Sequence, residues 1–441
     1  MKLSRLLPLA FILHAHAGDW PNWRGPNFDG SSSETGLPDK ATPENTLWKV
    51  PMPGPAASTP VVSGDHVFVS TTDEAAKKLL GIALDRKTGK ELWRKELGTG
   101  FSADEMSNFA NASPVTDGRT VIYHFSTGDT AAFDFAGKEL WQRNMQKDYG
   151  PYAIQWTPAS SPVITHGLAI FQVLQRDEFF NFHGNKKGNP SGSNDSYLLA
   201  LDPLTGKEKW KHIRPSAAEN ESRESFNTPM PWTFNGRDEL LVSGGDCLTG
   251  HSLKDGSELW RWATWNPEKN RQWRLVPGPV AGDGIILVCA PKRAPVYAVK
   301  AGLTGTLTDK DLAWVSGNEV NSEHVSSDVS TPLFYKGRFY VLHSERKALS
   351  CVEPKTGKLF WEHRIEGGAK IESSPSAGDG KIYFIDQRAG ITIMAAGDEA
   401  KELFSARLAE GEEKNVRSSI ALASGCAFVR TTRMLYCVGS K

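Results

Sequence analysis

Apolar residues in this chain come in short runs of three to six, each bounded by Gly, Asn, Asp or Pro, and the same sequence of runs recurs along its length. Runs this short between turn residues predict β-strands, and no long stretch after residue 18 has the 3.6-residue period of a helix. Three marks recur in fixed order. The first is a Ser/Thr-Pro-apolar start: Thr59-Pro60-Val61, Ser113-Pro114-Val115, Ser161-Pro162-Val163, Thr228-Pro229-Met230, Thr331-Pro332-Leu333 and Ser374-Pro375-Ser376. Gly278-Pro279-Val280 is a variant of it, and Ser418-Ser419-Ile420 is a degenerate eighth start. The second mark is a Gly turn followed by an apolar run, as in Gly64-Asp65 before Val67-Phe68-Val69. The third is a strand, a Thr-Gly turn and an aromatic residue, as in 83–93, 200–210 and 351–361.

Each mark has a physical reason. Pro lacks an N–H and is tolerated at the first residue of a strand. The Thr-Gly step supplies the positive φ of a tight connection. Successive prolines lie 54, 48, 67, 50, 53 and 43 residues apart. Four strands at this period predict an all-β fold, an eight-bladed β-propeller of four-stranded antiparallel blades. Seven fourth-strand aromatics are present: Trp93, Trp141, Trp210, Trp260, Trp314, Trp361 and Phe404. The eighth repeat supplies only three strands. An orphan fourth strand, Thr46-Leu47-Trp48-Lys49-Val50, is expected to complete it against Leu435-Tyr436-Cys437-Val438 and so close the ring.

The first residues change the organisation. Lys2 and Arg5, the apolar stretch 6–13 and Ala15-His16-Ala17 form the three-part pattern of a cleavable signal peptide. The expected division is therefore a signal at 1–17, an N-terminal extension at 18–45 and the propeller at 46–441. A periplasmic or secreted location is expected, with no membrane span. Fifty-one basic against 51 acidic side chains leave no electrostatic footprint for nucleic acid. Five cysteines at irregular spacing form no disulfide framework, although Cys426 and Cys437 flank a predicted hairpin and fit either a disulfide or simple packing. Cys351 and Cys437 share the repeat position of Ala83, Ala200 and Ala298, which suits a small buried residue.

The Ser-Pro-Val starts and Asp-x-x-Thr-Gly-Lys-x-Leu-Trp ends resemble the PQQ-like, or BamB-like, propeller repeat proteins of bacteria. The segment Asp19-Trp20-Pro21-Asn22-Trp23-Arg24-Gly25-Pro26-Asn27 also resembles the leader of secreted planctomycete and verrucomicrobial members. The resemblance implies two activities of different kinds. One is a non-catalytic binding or scaffold module for an envelope protein or a small-molecule ligand, expected as a monomer. The other is a quinoprotein dehydrogenase, which would need PQQ with calcium. No two cysteines are adjacent and no Asp/Glu/Asn set matches the ligands of such enzymes, so no cofactor and no metal is identified and no catalytic residue is carried over. GxSxG, Walker A, GxGxxG and HExxH are absent from the sequence.

The long loops segregate to one face. They are the connections 94–112, 142–160, 211–227, 261–277 and 315–330 before each first strand, and an insertion at 175–196 with Phe179, Phe180, Phe182 and His183. Residues just before each first strand are expected to project toward the central channel. They are Asn108, Gln155, Trp156, Arg223, Trp273, Arg274, His324, Asp328, Glu372 and Arg417, with Arg388 in a short turn on the same side. Arginines beside tryptophan suit an anionic or planar ligand, and blade-to-blade bridging suits them as well.

Overall fold

Each repeat folds as expected, into a four-stranded antiparallel sheet whose first strand is innermost. A computed structural model describes residues 18–102, 106–292, 294–317, 325–408 and 413–440. The blades span residues 61–99, 115–144, 163–213, 230–262, 280–315, 333–364, 376–407 and 421–439, the last completed by strand Thr46–Pro51. That strand runs antiparallel to Met434–Gly439, with Trp48 opposite Cys437 and Val50 opposite Leu435. Among the described residues the one α-helix is Met145–Tyr149, capped by Asn144, whose side chain accepts from the Gln146 and Lys147 N–H groups. No helix among them is long and apolar enough to cross a membrane.

The Thr-Gly-Trp mark is a blade-to-blade lock. The Trp48 indole donates to Arg86 O at 2.9 Å and packs on Gly89 of the next blade, where a Cβ would lie 2.7 Å from the ring. The same pair of contacts joins Trp93 to Phe135 O and Gly137, and Trp141 to Pro203 O and Gly206. It recurs from Trp210 to Leu253 O and Gly256, and from Trp314 to Pro354 O and Gly357. The glycine is thus required twice, for its φ of 72° at Gly89 and for the ring above it. Trp260 departs from the pattern. The next blade sends strand Gly305–Leu307 alongside it in place of the tight turn, and its indole donates to the buried Glu239 carboxylate at 2.6 Å. Opposite each of these rings stands a small residue: Ala83, Ala132, Ala200, Gly250, Ala298, Cys351 and, across from Trp48, Cys437. Cys351 and Cys437 are buried there, and all five cysteines are free thiols.

The Ser/Thr of the start mark forms a second device. Thr59 N–H donates to Ser113 Oγ, Ser113 N–H to Ser161 Oγ, and Ser161 N–H to Thr228 Oγ1, each at 2.9 Å. Across the ring, Gly278 N–H reaches Thr331 Oγ1, Thr331 N–H Ser374 Oγ, Ser374 N–H Ser419 Oγ, and Ser419 N–H Thr59 Oγ1. One link is missing, because Gly278 offers no hydroxyl to Thr228. A Cβ at Gly278 would meet its nearest atoms at 3.4 Å, ordinary contact. Gly278→Ser is therefore expected to close the belt and raise stability by about 1 kcal/mol, from one hydrogen bond and a less flexible unfolded chain. A lower denaturant midpoint in the variant would count against this account of the belt.

The N-terminal extension crosses the channel at the end where the first and second strands of each blade meet. Trp20 pairs with Val62 through two 2.9 Å bonds, and Thr116 N–H donates to Pro21 O. Farther on, Ala377 N–H donates to Gly30 O and Tyr383 OH to Pro38 O. Between these attachments the buried Arg24 side chain donates to Pro375 O, Pro332 O and Asp29 O at 2.9, 2.8 and 3.1 Å. Burial pushes the Arg24 guanidinium down to about 10, with the Asp29 charge opposing, so it stays charged at neutral pH.

Candidate functional site

The channel is closed at that end, because Trp23 reaches into it and Arg24 stands 5.6 Å from the Trp23 ring. What is left is a cavity of about 240 Å³ open toward the long loops. Its walls follow the repeat. The residue two places before each belt position lines it in all eight blades: Ala57, Asn111, Ala159, Phe226, Val276, Val329, Glu372 and Arg417. Blades three to six thus present an apolar arc and blades seven and eight a charged one. Belt hydroxyls Ser113, Ser161, Thr228, Ser374 and Ser419 also line the cavity.

Five of the expected residues meet here: Trp156, Arg274, Asp328, Glu372 and Arg417. Glu372 lies between two cations, with Arg417 Nε at 2.6 Å and Lys370 Nζ at 2.8 Å. Burial alone would raise its carboxyl, but Arg417 and Lys370 outweigh that and hold it below the usual range. Arg274 pairs with Glu221 at 2.6 Å, and Asp328 accepts from Lys292 N–H at 2.9 Å.

The other expected residues lie elsewhere, and their bonding explains why. Asn108 is buried, its side chain accepting from Ala110 N–H and its carbonyl from Thr157 Oγ1. Gln155 is turned toward Arg176, which donates to its Oε1. Arg223 pairs with Asp177 at 2.9 Å, and Trp273 packs in the core of blades four and five. Arg388 is exposed beside a separate cleft between blades six and seven. Direct projection holds two places before the belt, whereas at five or more places the loop's own contacts decide. His324 and the proposed signal at 1–17 fall outside the described residues.

Sequence reasoning missed Trp23, Lys292 and Lys370. Trp23 stood in the leader motif with nothing to tie it to the channel. Lys370 lies two residues before Glu372, and its position shows only once Glu372 is known to face inward. The insertion at 175–196 is not a plain loop. It contains a hairpin, Phe180–Phe182 with Asn185–Lys187, turning at His183-Gly184 with φ of 47° and 80°. Phe182 packs on Trp156 at 4.9 Å between ring centroids, and Arg176 lies over Phe180 at 4.1 Å. Arg176 Nε also meets the fully buried Glu224 at 2.5 Å, and burial still raises that carboxyl to about 7.

The donor set does not suit calcium-bound PQQ. Of the described lining residues only Asp328 and Glu372 are carboxylates. Glu372 is already neutralised by two cations that would repel a metal ion, so no reaction step is derived through such a group.

The family model described as outer membrane protein assembly factor BamB matches residues 40–184 and 194–438, the interruption falling in the insertion. BamB of Burkholderia pseudomallei is 24% identical over 205 residues, 46% of this chain and 41% of that protein. The 1-butanol dehydrogenase (quinone) of Thauera butanivorans is 37% identical over 93 residues, 19% of this chain and 14% of that one. The matches thus span less than half of either curated relative. Among solved structures, quinohemoprotein alcohol dehydrogenase from Comamonas testosteroni superposes with a TM-score of 0.63 at 13% identity, over 97% of this chain and 82% of that one. BamB from Moraxella catarrhalis gives 0.58 at 11%, over 89% and 99%. A europium-containing methanol dehydrogenase gives 0.63 at 12%, over 90% and 86%. At such identities these structures share the fold alone.

Proposed function

This chain belongs to the BamB propeller family, and on that premise we propose that it is a non-catalytic binding module of the bacterial envelope that takes a small molecule in its central cavity. The observation that carries this reading is the closed channel. A protein partner is best served by a flat, apolar patch, whereas the long-loop face here leads into a concave site with a tryptophan floor and converging polar side chains. Kinship with an assembly factor favours the envelope setting and leaves a protein partner as the competing occupant of the same face. No catalytic step is assigned, since the cavity carboxylates are held by cations and backbone and are not poised as an acid and base pair.

The test compares the protein with Ala159→Trp, which fills the cavity from its wall. Both are purified from the native host, and compounds released on denaturation are identified by mass spectrometry. The wild type is expected to release a compound that the variant lacks. Equal capture of an envelope protein by both forms, with no compound released from either, would overturn the reading.

A further inference from the structure

We infer that the face opposite the cavity mouth carries a second binding site, a groove that takes a neutral pyranose sugar against Trp232 and Phe234. The groove lies among the first-strand turns of blades three to six, beside Phe28 and Asp29 of the extension. It encloses about 680 Å³, against about 240 Å³ in the central cavity, and the two share none of their described lining residues. A volume of this size falls in the range of about 300–1,000 Å³ common for small-molecule sites.

The aromatic wall of this groove is not something the repeat requires. Three places after the opening proline, blades one, two, three, five and seven carry Ser63, Asp117, Thr165, Gly282 and Gly378. Blade six carries Tyr335, whose hydroxyl accepts from Gly380 N–H and so braces the next blade. Blade four carries Trp232 there. Its first strand, Met230–Phe234, also runs five residues where those of blades one, three and five run three, and the added length ends in Phe234. The two rings stack at 5.2 Å between centroids and 20° between planes, and both are half-buried. The neighbouring turn keeps the floor low with Gly282 and Gly284, where a Cβ would lie 2.4 Å from the Phe334 ring and 3.4 Å from Phe234.

The rim of the groove sets the ligand class. The Trp232 indole N–H, the Asp283 carboxylate and the Lys355 ammonium have no partner among the described residues. Asp283 is the one side chain between the two glycines, held at a φ of 50°. A donor, an acceptor and a cation beside an apolar wall match a pyranose, whose ring offers a C–H face to aromatic carbons and, at its edge, hydroxyls that both donate and accept. An anion would meet the Asp29 and Asp283 carboxylates, and the lining His166 is already engaged by Asp238 at 3.0 Å. A quaternary ammonium calls for a cage of rings, whereas Trp232 and Phe234 stand nearly parallel as one wall. A purely apolar chain would cover Asp283 and Lys355 without bonding them.

The experiment is native affinity electrophoresis of the full chain through gels cast with hydroxyethylcellulose, xylan, galactomannan or glycol chitin, and with carboxymethylcellulose as the acidic counterpart of the first. At least one neutral polymer is expected to retard the protein, and carboxymethylcellulose to retard it no more than hydroxyethylcellulose does. Trp232→Thr, which installs the residue type blade three carries at this position, is expected to weaken the interaction about tenfold or more. Asp283→Asn alters an exposed side chain in a turn that Asn tolerates, and is expected to weaken it about threefold with the thermal midpoint unchanged. Ala159→Trp, which fills the central cavity, is expected to leave retardation as it is, so the two sites succeed or fail separately. Four results would overturn the sugar groove: no retardation by any neutral polymer, equal retardation of Trp232→Thr and wild type, loss of retardation in Ala159→Trp, or release from the polymer by choline chloride at constant ionic strength.

Discussion

Removing residues 416–441 is expected to abolish cooperative unfolding. The cut takes three strands of the eighth blade and leaves Thr46–Pro51 without its partner. It also splits the core cluster in which Ile420, Leu422, Phe428, Leu435 and Val438 pack with Trp20, Val62, Ile391 and Ile393 of the flanking elements. Nine buried side chains of the Val, Leu, Ile, Phe, Cys or Tyr type leave the core in this region, Val416, Ile420, Leu422, Phe428, Val429, Leu435, Tyr436, Cys437 and Val438, and Trp48 loses its cover. At about 1.5–3 kcal/mol for each large side chain, the loss exceeds the 5–15 kcal/mol by which a folded domain is usually stable. The measurement is thermal unfolding followed by near-ultraviolet circular dichroism. A truncate melting in one sharp transition at the wild-type midpoint would show that the ring does not depend on its closing blade.

Arg24→Ala is expected to cost about 3–5 kcal/mol, the range for removing one partner from a buried charged network. The substitution strips a donor from the carbonyls of Asp29, Pro332 and Pro375, two of which open the first strands of blades six and seven. It also takes the cation from beside Trp23, so loss of cavity binding should accompany the loss of stability. Urea titration gives the first quantity and ligand titration the second. A change below about 1 kcal/mol would mean that the extension only rests on the ring. Arg24→Lys separates charge from geometry: the Arg24 bonds leave from two nitrogens, Nη1 and Nη2, and one ammonium nitrogen cannot stand in both places, so most of the loss should persist.

Blade number, ring closure and the packing role of the repeated tryptophans were all readable from the chain, because each is written eight times or nearly so. The Ser/Thr before each Pro was equally visible, yet its work was hidden. Its hydroxyl accepts from the preceding blade, 43 to 67 residues away, and nothing local in a strand start announces that contact. The cavity falls between these cases. Its inner wall obeys the repeat, two places before the belt, so Glu372 and Arg417 could be found by counting. Asn108, Arg223 and Trp273 could not be placed by counting, since irregular loops follow their own hydrogen bonds. Trp23 was the hardest to see: it comes from a segment outside the repeat, and only the path of that segment across the channel brings it to the floor.

Closure by the first strand also sets an order of events. Thr46–Pro51 is made before Met434–Gly439, so the two meet only after almost 390 intervening residues exist. Until then the nascent ring has an open edge on each side, and the first strand has no partner. A loop of that length adds little to the equilibrium cost of closure, which grows only with the logarithm of length, but it makes the final pairing a late and slow step. Two open edges held for that interval can pair with other chains. The step that completes this protein is therefore also the one at which it is most exposed to aggregation, and a holding chaperone would act there to most effect.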